Sequence, residues 1–409
     1  MKNNDKKTFF SSAYFCESCG MSSRNHLRTW IQEFMQLFLG KMSMHMFPRS
    51  LEQIANRILE YIFLFFGILH LTSEFTKQNI PIRTYCLIQE GEKRGIIFQA
   101  FQSPFGFMNY FRMRIQGKEF SFEGLPVADF ANTRDFSEID DKARAKKRLM
   151  KGNFPTLQSR AFWFFQKNDA LRYGEQTGYP LVVKPRNGSY SRHTTTNILN
   201  KEQLISAINE TLAYSPTFIV ESFLGNSFVF RATVIDFDYV ACVRRTPANV
   251  MGDGIHTVQK LIDIKNADPD RGDPDEETYT LFKIPNNTMT EQLLREQGYT
   301  KQSVLPYGKK IFLQQDPFIR LGADSDEVTD MVHPDTMTLF KDIARYFDIR
   351  VVGLDFLCSD IQKSWKEQSC AVLELNSLPC IEVHHFPSSG TPQNVAGKII
   401  DMIFKYYPV

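Results

Sequence analysis

The sequence predicts an α+β protein: a helical N-terminal region, then a small β-rich or α/β segment, then a long mixed domain. Three observations carry this. From Asp140 to the end, short apolar strand-like runs alternate with amphipathic helical runs. Between Ile82 and Phe122 stand the strand-like runs RTYCLIQ, GIIFQAF and FRMRIQGKEFSF, the last with Gly117-Lys118 as a hairpin turn. Ahead of these, apolar residues recur at helical spacing from Ser50, after a start signal at Pro48. The 409 residues accommodate two or three domains at about 100–200 residues each. Boundaries are expected near residues 75 and 139.

Composition narrows the function classes. With 43% hydrophobic and 23% charged residues the chain buries an ordinary soluble core, and a net charge of +2 supplies no global pull toward nucleic acid or anionic lipid. No nucleic-acid partner is expected. Seven scattered cysteines, an odd number, do not form a disulfide framework and point to a reducing, cytoplasmic setting. Met1 to Lys7 is polar and basic with no apolar stretch and cleavage site after it, so no signal peptide is expected. The run Ile58 to Leu71, ILEYIFLFFGILHL, falls short of the roughly 20 residues that span a bilayer. It is expected to be a buried helix, with an interfacial helix as the alternative.

From Asp141 onward individual elements carry chemistry. DKARAKKRLMKG reads as a helix with an Asp cap and a Gly past its end, carrying six basic residues. A β-run from Tyr179 to Val183 delivers Lys184 at its end, followed by a loop with Gly188, Ser189, Ser191 and Arg192. A strand-end lysine beside a small-residue loop suits phosphate, because the cation and backbone N–H groups converge on one anion. Neither GxxxxGK[ST] nor GxGxxG occurs. A strand from Phe218 to Val220 ends in Glu221, with Leu224 and Gly225 in the bend behind it. VFRATVIDFDYVACVRR forms a hairpin turning at Asp236 to Asp238 and ending in Arg244 and Arg245. Gly252 and Gly254 mark a loop of unusual backbone angles. Two late apolar strands carry Asp355, Glu374 and Asn376; Glu374 and Asn376, two apart, share a face. Two carboxylates and an amide suit Mg²⁺.

The ordered series DKxxxxK, VVKP with a small-residue loop, VES with a glycine, RRxPANVxGDGxHT, DF and ExN resembles the ATP-grasp superfamily. Within it, RRTPANVMGDGIHTVQKLIDIKNADPDRG, VTDMVHP and VVGLDF are similar to cyanophycin synthetases and to the ATP-grasp half of bifunctional glutathione synthetases. The likeness covers roughly residues 140 to 409. It implies two α/β subdomains clasping ATP, with residues of about 155–235 forming the lid-bearing one and residues 186 to 196 the lid. It further implies that Lys142 and Lys184 hold phosphates, with Gly188, Ser189, Ser191 and Arg192 in the phosphate loop. Glu221 would meet the adenine amino group beside Ile219, Val220 and Leu224. Arg245 would neutralise the transferred phosphoryl group, and Asp355, Glu374 and Asn376 would bind Mg²⁺ or Mn²⁺. The implied reaction joins a small-molecule carboxylate and an amine, amino acid or peptide-like, through an acyl phosphate, releasing ADP and phosphate. A degenerate nucleotide-binding module and an ATP-grasp kinase are the alternatives.

Several positions depart from the pattern. The phosphate loop has serines and His193 where relatives carry glycines. Val229 stands where an acidic ribose contact is expected, Arg320 to Ala323 replace a small-residue segment, and Cys380 replaces a glycine after ExNxxP. Cyanophycin synthetases continue into a second ligase half, so this chain is not expected to make that polymer by itself. Cys16 and Cys19 form CxxC, but His26 and His45 complete a zinc set poorly. DPDRGDPDEE from Asp268 has its glycine at the wrong place for a calcium loop and reads as solvated. His384 and His385 line a substrate mouth or cap a packed turn. Residues 1–75 suit a packed helical layer or a homo-oligomer interface equally well.

Overall fold

The computed structural model describes residues 27, 30, 31, 34, 35, 58–126, 137–186, 193–274, 276 and 278–406. The chain forms two compact units: Met1–Glu52, Asp140–Lys147 and Leu157–Gly225 make the first, and Gln53–Ile139, Arg148–Thr156 and Asn226–Val409 the second.

The second unit opens with an antiparallel meander, β1 (His70–Thr72), β2 (Ile97–Ser103), β3 (Gly106–Ile115) and β4 (Lys118–Glu123), in that spatial order. β1 pairs with β2, so the sheet begins ahead of the boundary expected at residue 75. The β3–β4 turn falls one residue ahead of the expected Gly117-Lys118, since Lys118 pairs with Ile115; φ is 47° at Gln116 and 84° at Gly117, the left-handed pair of a tight hairpin. A Cβ at Gly117 would meet nothing within 4 Å, so only backbone strain opposes a side chain there. Gly117→Ala is expected to cost about 1–2 kcal/mol, read by urea denaturation; an unchanged midpoint would show that the turn tolerates any residue.

RTYCLIQ, expected as a strand, lies instead in helix α1 (Ile82–Glu92). Pro81 starts it, and Ile82, Cys86, Leu87, Ile88 and Gly91 fall on one side, packed with β2 and a C-terminal helix (Val395–Tyr406). Burial at helical spacing outweighs the local β preference of the run. Residues 27, 30, 31, 34 and 35 are helical, as are 58–65. That second helix is not buried. Tyr61, Phe65 and Phe66 are 66%, 85% and 69% exposed, while Glu60 turns inward to pair with Arg112 of β3 and approach Tyr110 and Ser121. Pairing the run's one carboxylate fixes which face points in, and the apolar face is left outside. Among the described residues no helix is long and apolar enough to cross a membrane.

In the first unit, helix α2 (Lys142–Lys151) begins as expected, with Asp141 Oδ1 accepting from the N–H of Ala143 and Arg144 at 3.0 and 3.2 Å. It continues across the chain boundary into the second unit. The first unit's sheet has order β5-β8-β6-β7, from β5 (Ser159–Trp163), β6 (Leu181–Pro185), β7 (Thr195–Ile198) and β8 (Thr217–Ser222), all antiparallel. Helices α3 (Lys167–Thr177) and α4 (Lys201–Leu212) close its core around Phe162, Leu181, Leu204, Phe218 and Val220.

The second unit's main sheet has order β15-β10-β9-β16-β17, built from β9 (Phe228–Ile235), β10 (Tyr239–Thr246), β15 (Asp324–Glu327), β16 (Val351–Cys358) and β17 (Cys370–Asn376), again antiparallel. One face packs on α7 (Pro334–Phe347) through Phe230, Ala232, Val234, Cys242, Leu354, Phe356 and Val372. At one end of the opposite face Ile235, Ala241 and Val351 meet the core of α1 and of α9 (Val395–Tyr406). Between β10 and β15 the chain makes a small satellite core from β11 (Asn249–Met251), α5 (Val258–Asn266), α6 (Thr288–Glu296) and β14 (Lys310–Phe312), and a short parallel pair, β12 (Arg271–Gly272) with β13 (Leu281–Phe282). In the acidic stretch Asp268, Asp270 and Asp273 are exposed, as a solvated loop requires. Arg271 and Gly272 are buried, Arg271 against Asp324. A turn, α8 (Glu382–His385), leads from β17 toward α9.

Candidate active site

On the first unit the chemistry centres on Glu221. β8 carries it into the core, 1% exposed, and its two oxygens meet Lys146 Nζ at 2.5 Å and Lys184 Nζ at 2.8 Å. Lys184 stands on β6 beside β8, as the VVKP run foretells. Lys146 comes from α2, one turn after the half-exposed Lys142. The sequence reading named Lys142 and missed Lys146; the available signal was helical spacing, since a residue four places on covers the same face one turn further. The adjacent ammonium groups hold the Glu221 carboxyl below the usual carboxylate range despite its burial. The carboxylate that the resemblance sets against the adenine amino group is thus ion-paired with two lysines. Asp141, the cap of α2, also takes the fork of Arg186, at 3.1 and 2.7 Å.

Val220 is buried in β8, and Leu224 lies half-buried just after it. Gly188, Ser189, Ser191 and Arg192 lie outside the described residues, as do Cys16, Cys19, His26 and His45. His193 is buried, with φ of 53°; its ring stacks on Tyr214 at 4.7 Å and its carbonyl accepts from Thr211 Oγ1 at 3.0 Å. This histidine anchors the end of the loop.

On the second unit, register assembles a charged row on the face away from α7. Asp355 on β16 lies opposite Arg231 on β9 and Glu374 on β17. Val243 of β10 lies opposite Arg231, which places Arg245 on the same face by strand alternation; Asn376, opposite Gly353, joins it. Asp355 is 7% exposed and accepts from Nε and Nη2 on one edge of the Arg231 guanidinium, the Nη2–Oδ2 bond at 2.8 Å. Burial and the nearby Glu374 push its carboxyl up, against the pull of Arg231 and Arg245. Burial and Arg231 lower the Arg245 guanidinium, which stays charged. Arg231 was not singled out from the sequence; only pairing across β9 and β16 reveals it. Val229, opposite both Arg245 and Leu357, is an apolar member of the same face.

Among the described residues no cluster of three His, Cys, Asp or Glu side chains is placed to hold a metal. Asp355, Glu374 and Asn376 nonetheless offer two carboxylates and an amide on one face. Oxygen donors of this kind fit a hard divalent cation. His384 is not at a substrate mouth: it is fully buried, with Nδ1 at 2.9 Å from Glu327 and Nε2 at 2.9 Å from Thr233, and ties α8 to the sheet. His385 accepts from Ala396 N at 3.0 Å at the start of α9, and burial lowers it to about 4.

No family profile matches the chain. Cyanophycin synthetase of Nostoc sp. is 30% identical over 328 residues, covering 78% of this chain and 35% of the relative. The bifunctional glutathione biosynthesis protein of Clostridium perfringens is 26% identical over 336 residues, covering 80% of this chain and 41% of the relative. The crystal structure of a bifunctional glutathione synthetase from Pasteurella multocida superposes with a TM-score of 0.63 at 24% identity, over 80% of this chain and 44% of that one. The chain belongs to the ATP-grasp superfamily. This ATP-grasp chain spans about 30–41% of the length of the curated relatives it matches.

Proposed function

We propose that this ATP-grasp protein is a carboxylate–amine ligase that spends ATP to form an amide or peptide bond through an acyl phosphate. The observation that carries the reading is the one-face row Arg245, Arg231, Asp355, Glu374 and Asn376, a juxtaposition that packing alone does not require. Phosphoryl transfer is catalysed by alignment and by cancelling charge that spreads over the transferred oxygens. In the first unit, Lys184 and Lys146, pre-positioned by Glu221, are assigned to the nucleotide phosphates, with Lys142 at the helix start and the loop of Gly188, Ser189, Ser191 and Arg192 as further phosphate contacts. Val220 and Leu224 are assigned to the adenine. In the second unit, Arg245 neutralises the transferred group and Arg231 orients Asp355. Asp355, Glu374 and Asn376 would hold magnesium or manganese, which when bound neutralises nucleotide phosphate charge. The names of the relatives favour amino acids or peptides as substrates.

Calorimetric titration with a non-hydrolysable ATP analogue tests this. Wild type is expected to bind in a magnesium-dependent manner, and Glu374→Ala to lose that dependence, with affinity falling about 10–100-fold. ADP release with amide formation then separates a ligase from a kinase or a binding module. Absence of nucleotide binding with and without magnesium would end the ligase reading.

A further inference from the structure

On the face of the main sheet that packs under α7, two cysteines that no step above uses stand opposite each other. Cys358 ends β16, Cys370 begins β17, and the register makes them direct partners. Residues directly opposite in an antiparallel pair point to the same face. Both belong to the core beneath α7, Cys358 fully buried within it and Cys370 half-buried at its margin.

The backbone sets how close they come. An antiparallel ladder alternates pairs that exchange both hydrogen bonds with open pairs that exchange none. The N–H of Val372 turns away from β16 to Pro155 O at 2.9 Å, so its pair with Phe356 is open. Leu357 with Ala371 is then the bonded pair, and Cys358 with Cys370 the next open one. The other strand agrees: the N–H of Ser359 points to the β17 side, onto Gln368 Oε1 at 3.1 Å, which leaves the N–H of Cys358 facing β9. In an open pair the Cα atoms lie about 4.5 Å apart, at the short end of the roughly 4.4–6.8 Å that a disulfide spans. Gln368 also holds the ends of the connecting arm together, its Oε1 accepting from Asp360 N at 3.0 Å and its Nε2 donating to Asp360 O at 2.6 Å.

We propose that Cys358 and Cys370 form a reversible oxidation site, which closes to a disulfide when a small-molecule disulfide such as oxidised glutathione reaches Cys370. The half-buried Cys370 reacts first. Its thiol, weakly bonded to Trp365 O at 3.3 Å, gives up a proton; its sulfur bonds to one sulfur of the oxidant, and the other sulfur leaves as a thiolate that takes the proton. Cys358 then loses its proton and attacks the Cys370 sulfur, expelling the second glutathione thiol. Two protein thiols are thereby oxidised and one glutathione disulfide is reduced to two thiols. A bond at the short end of the range is readily reduced, so the site stays open in reducing surroundings and closes on exposure to oxidant. Closed, it ties the edge strand β17, which carries Glu374 and Asn376, to β16, which carries Asp355. Burial pushes the Cys370 thiol up to about 11 and the Cys358 thiol up to about 12, so closure is slow at neutral pH and speeds up about tenfold per pH unit.

The test incubates the folded full chain with oxidised glutathione at about pH 8.5, where more thiolate is present, then alkylates the remaining thiols, digests without reduction and reads the peptides by mass spectrometry. Wild type is expected to give a linked peptide joining Cys358 to Cys370, lighter by two hydrogens than the separate pair, and excess reduced glutathione is expected to return both thiols. Cys358→Val, which keeps the core filled, is expected to retain glutathione on Cys370, and Cys370→Ala to show neither product at Cys358. Wild type that ends with glutathione left on Cys370, or with both cysteines alkylated, overturns the proposal. So does a link that forms only when urea is added before the oxidant, and so does a link that resists excess reduced glutathione. The wild-type arms decide the matter even if a variant fails to fold.

Discussion

Glu221→Ala is expected to destabilise the first unit by about 3–5 kcal/mol, the usual cost of stripping one partner from a buried ion pair, and to lower nucleotide affinity sharply. The carboxylate is 1% exposed and touches two ammonium groups, so its removal leaves Lys146 and Lys184 facing each other in a poorly hydrated place. One of them then sheds its proton to avoid the repulsion, and half of the charge assigned to the phosphates is lost. The pH dependence separates the two proteins. In wild type the folded-state pKa of Glu221 is depressed, so its contribution is fully present above the unfolded carboxyl value of about 4.3 and is lost as pH falls through the lower folded value. The alanine variant has no such loss in acid and instead gains stability at high pH as the lysines deprotonate. Denaturant midpoints between pH 3 and 10 check both signs. A variant as stable as wild type at pH 7 would mean that the pair is hydrated in solution.

The second large effect is expected at Arg231. Arg231→Ala should cost about 3–5 kcal/mol, because Asp355 is left buried without its bidentate partner, with Glu374 opposite and only Arg245 in compensation. Burial and Glu374 already favour the neutral form of Asp355, so the variant's carboxyl is expected to take up a proton at higher pH than in wild type, and the Arg231→Ala, Asp355→Asn double variant to recover much of the loss. A double-mutant cycle by urea denaturation measures the coupling. Additive single effects would show that Arg231 acts on its own. If Arg231 served packing alone, Arg231→Met would restore both stability and magnesium-dependent nucleotide binding; the expectation is that it restores neither, because Asp355 stays unpaired.

Much of this arrangement is written locally in the chain. The Asp141 cap, the Gln116-Gly117 turn, Lys184 at a strand end and the shared face of Glu374 and Asn376 each depend on a few neighbouring residues, and short-range spacing reports them. What the spacing does not report is which residues meet from afar. Arg231 and Asp355 are 124 positions apart, and nothing within either strand distinguishes Arg231 from Arg244. Lys146 was hidden for a different reason: in a helix with six basic residues, charge alone does not say which is buried. The run from Ile82 read as a strand because its residue types favour one, and only packing with α9 makes it a helix. The apolar run from Ile58 read as buried because the sequence does not show that Glu60 has a partner on β3.

Strands β9 and β16 divide their labour by parity. Arg231 and Asp355 alternate with Phe230, Ala232, Leu354 and Phe356, which belong to the core beneath α7, while β17 reaches the same division through a bulge between Val372 and Glu374. A single-residue insertion or deletion in β16 would therefore do more than shift a contact: it would lift a leucine or phenylalanine into the charged row and drive a carboxylate under α7. The interval between chemistry and packing here is one residue. Homologous recombination or loop grafting can exchange the segments flanking these strands freely, but within them only substitutions that keep the count can be tolerated.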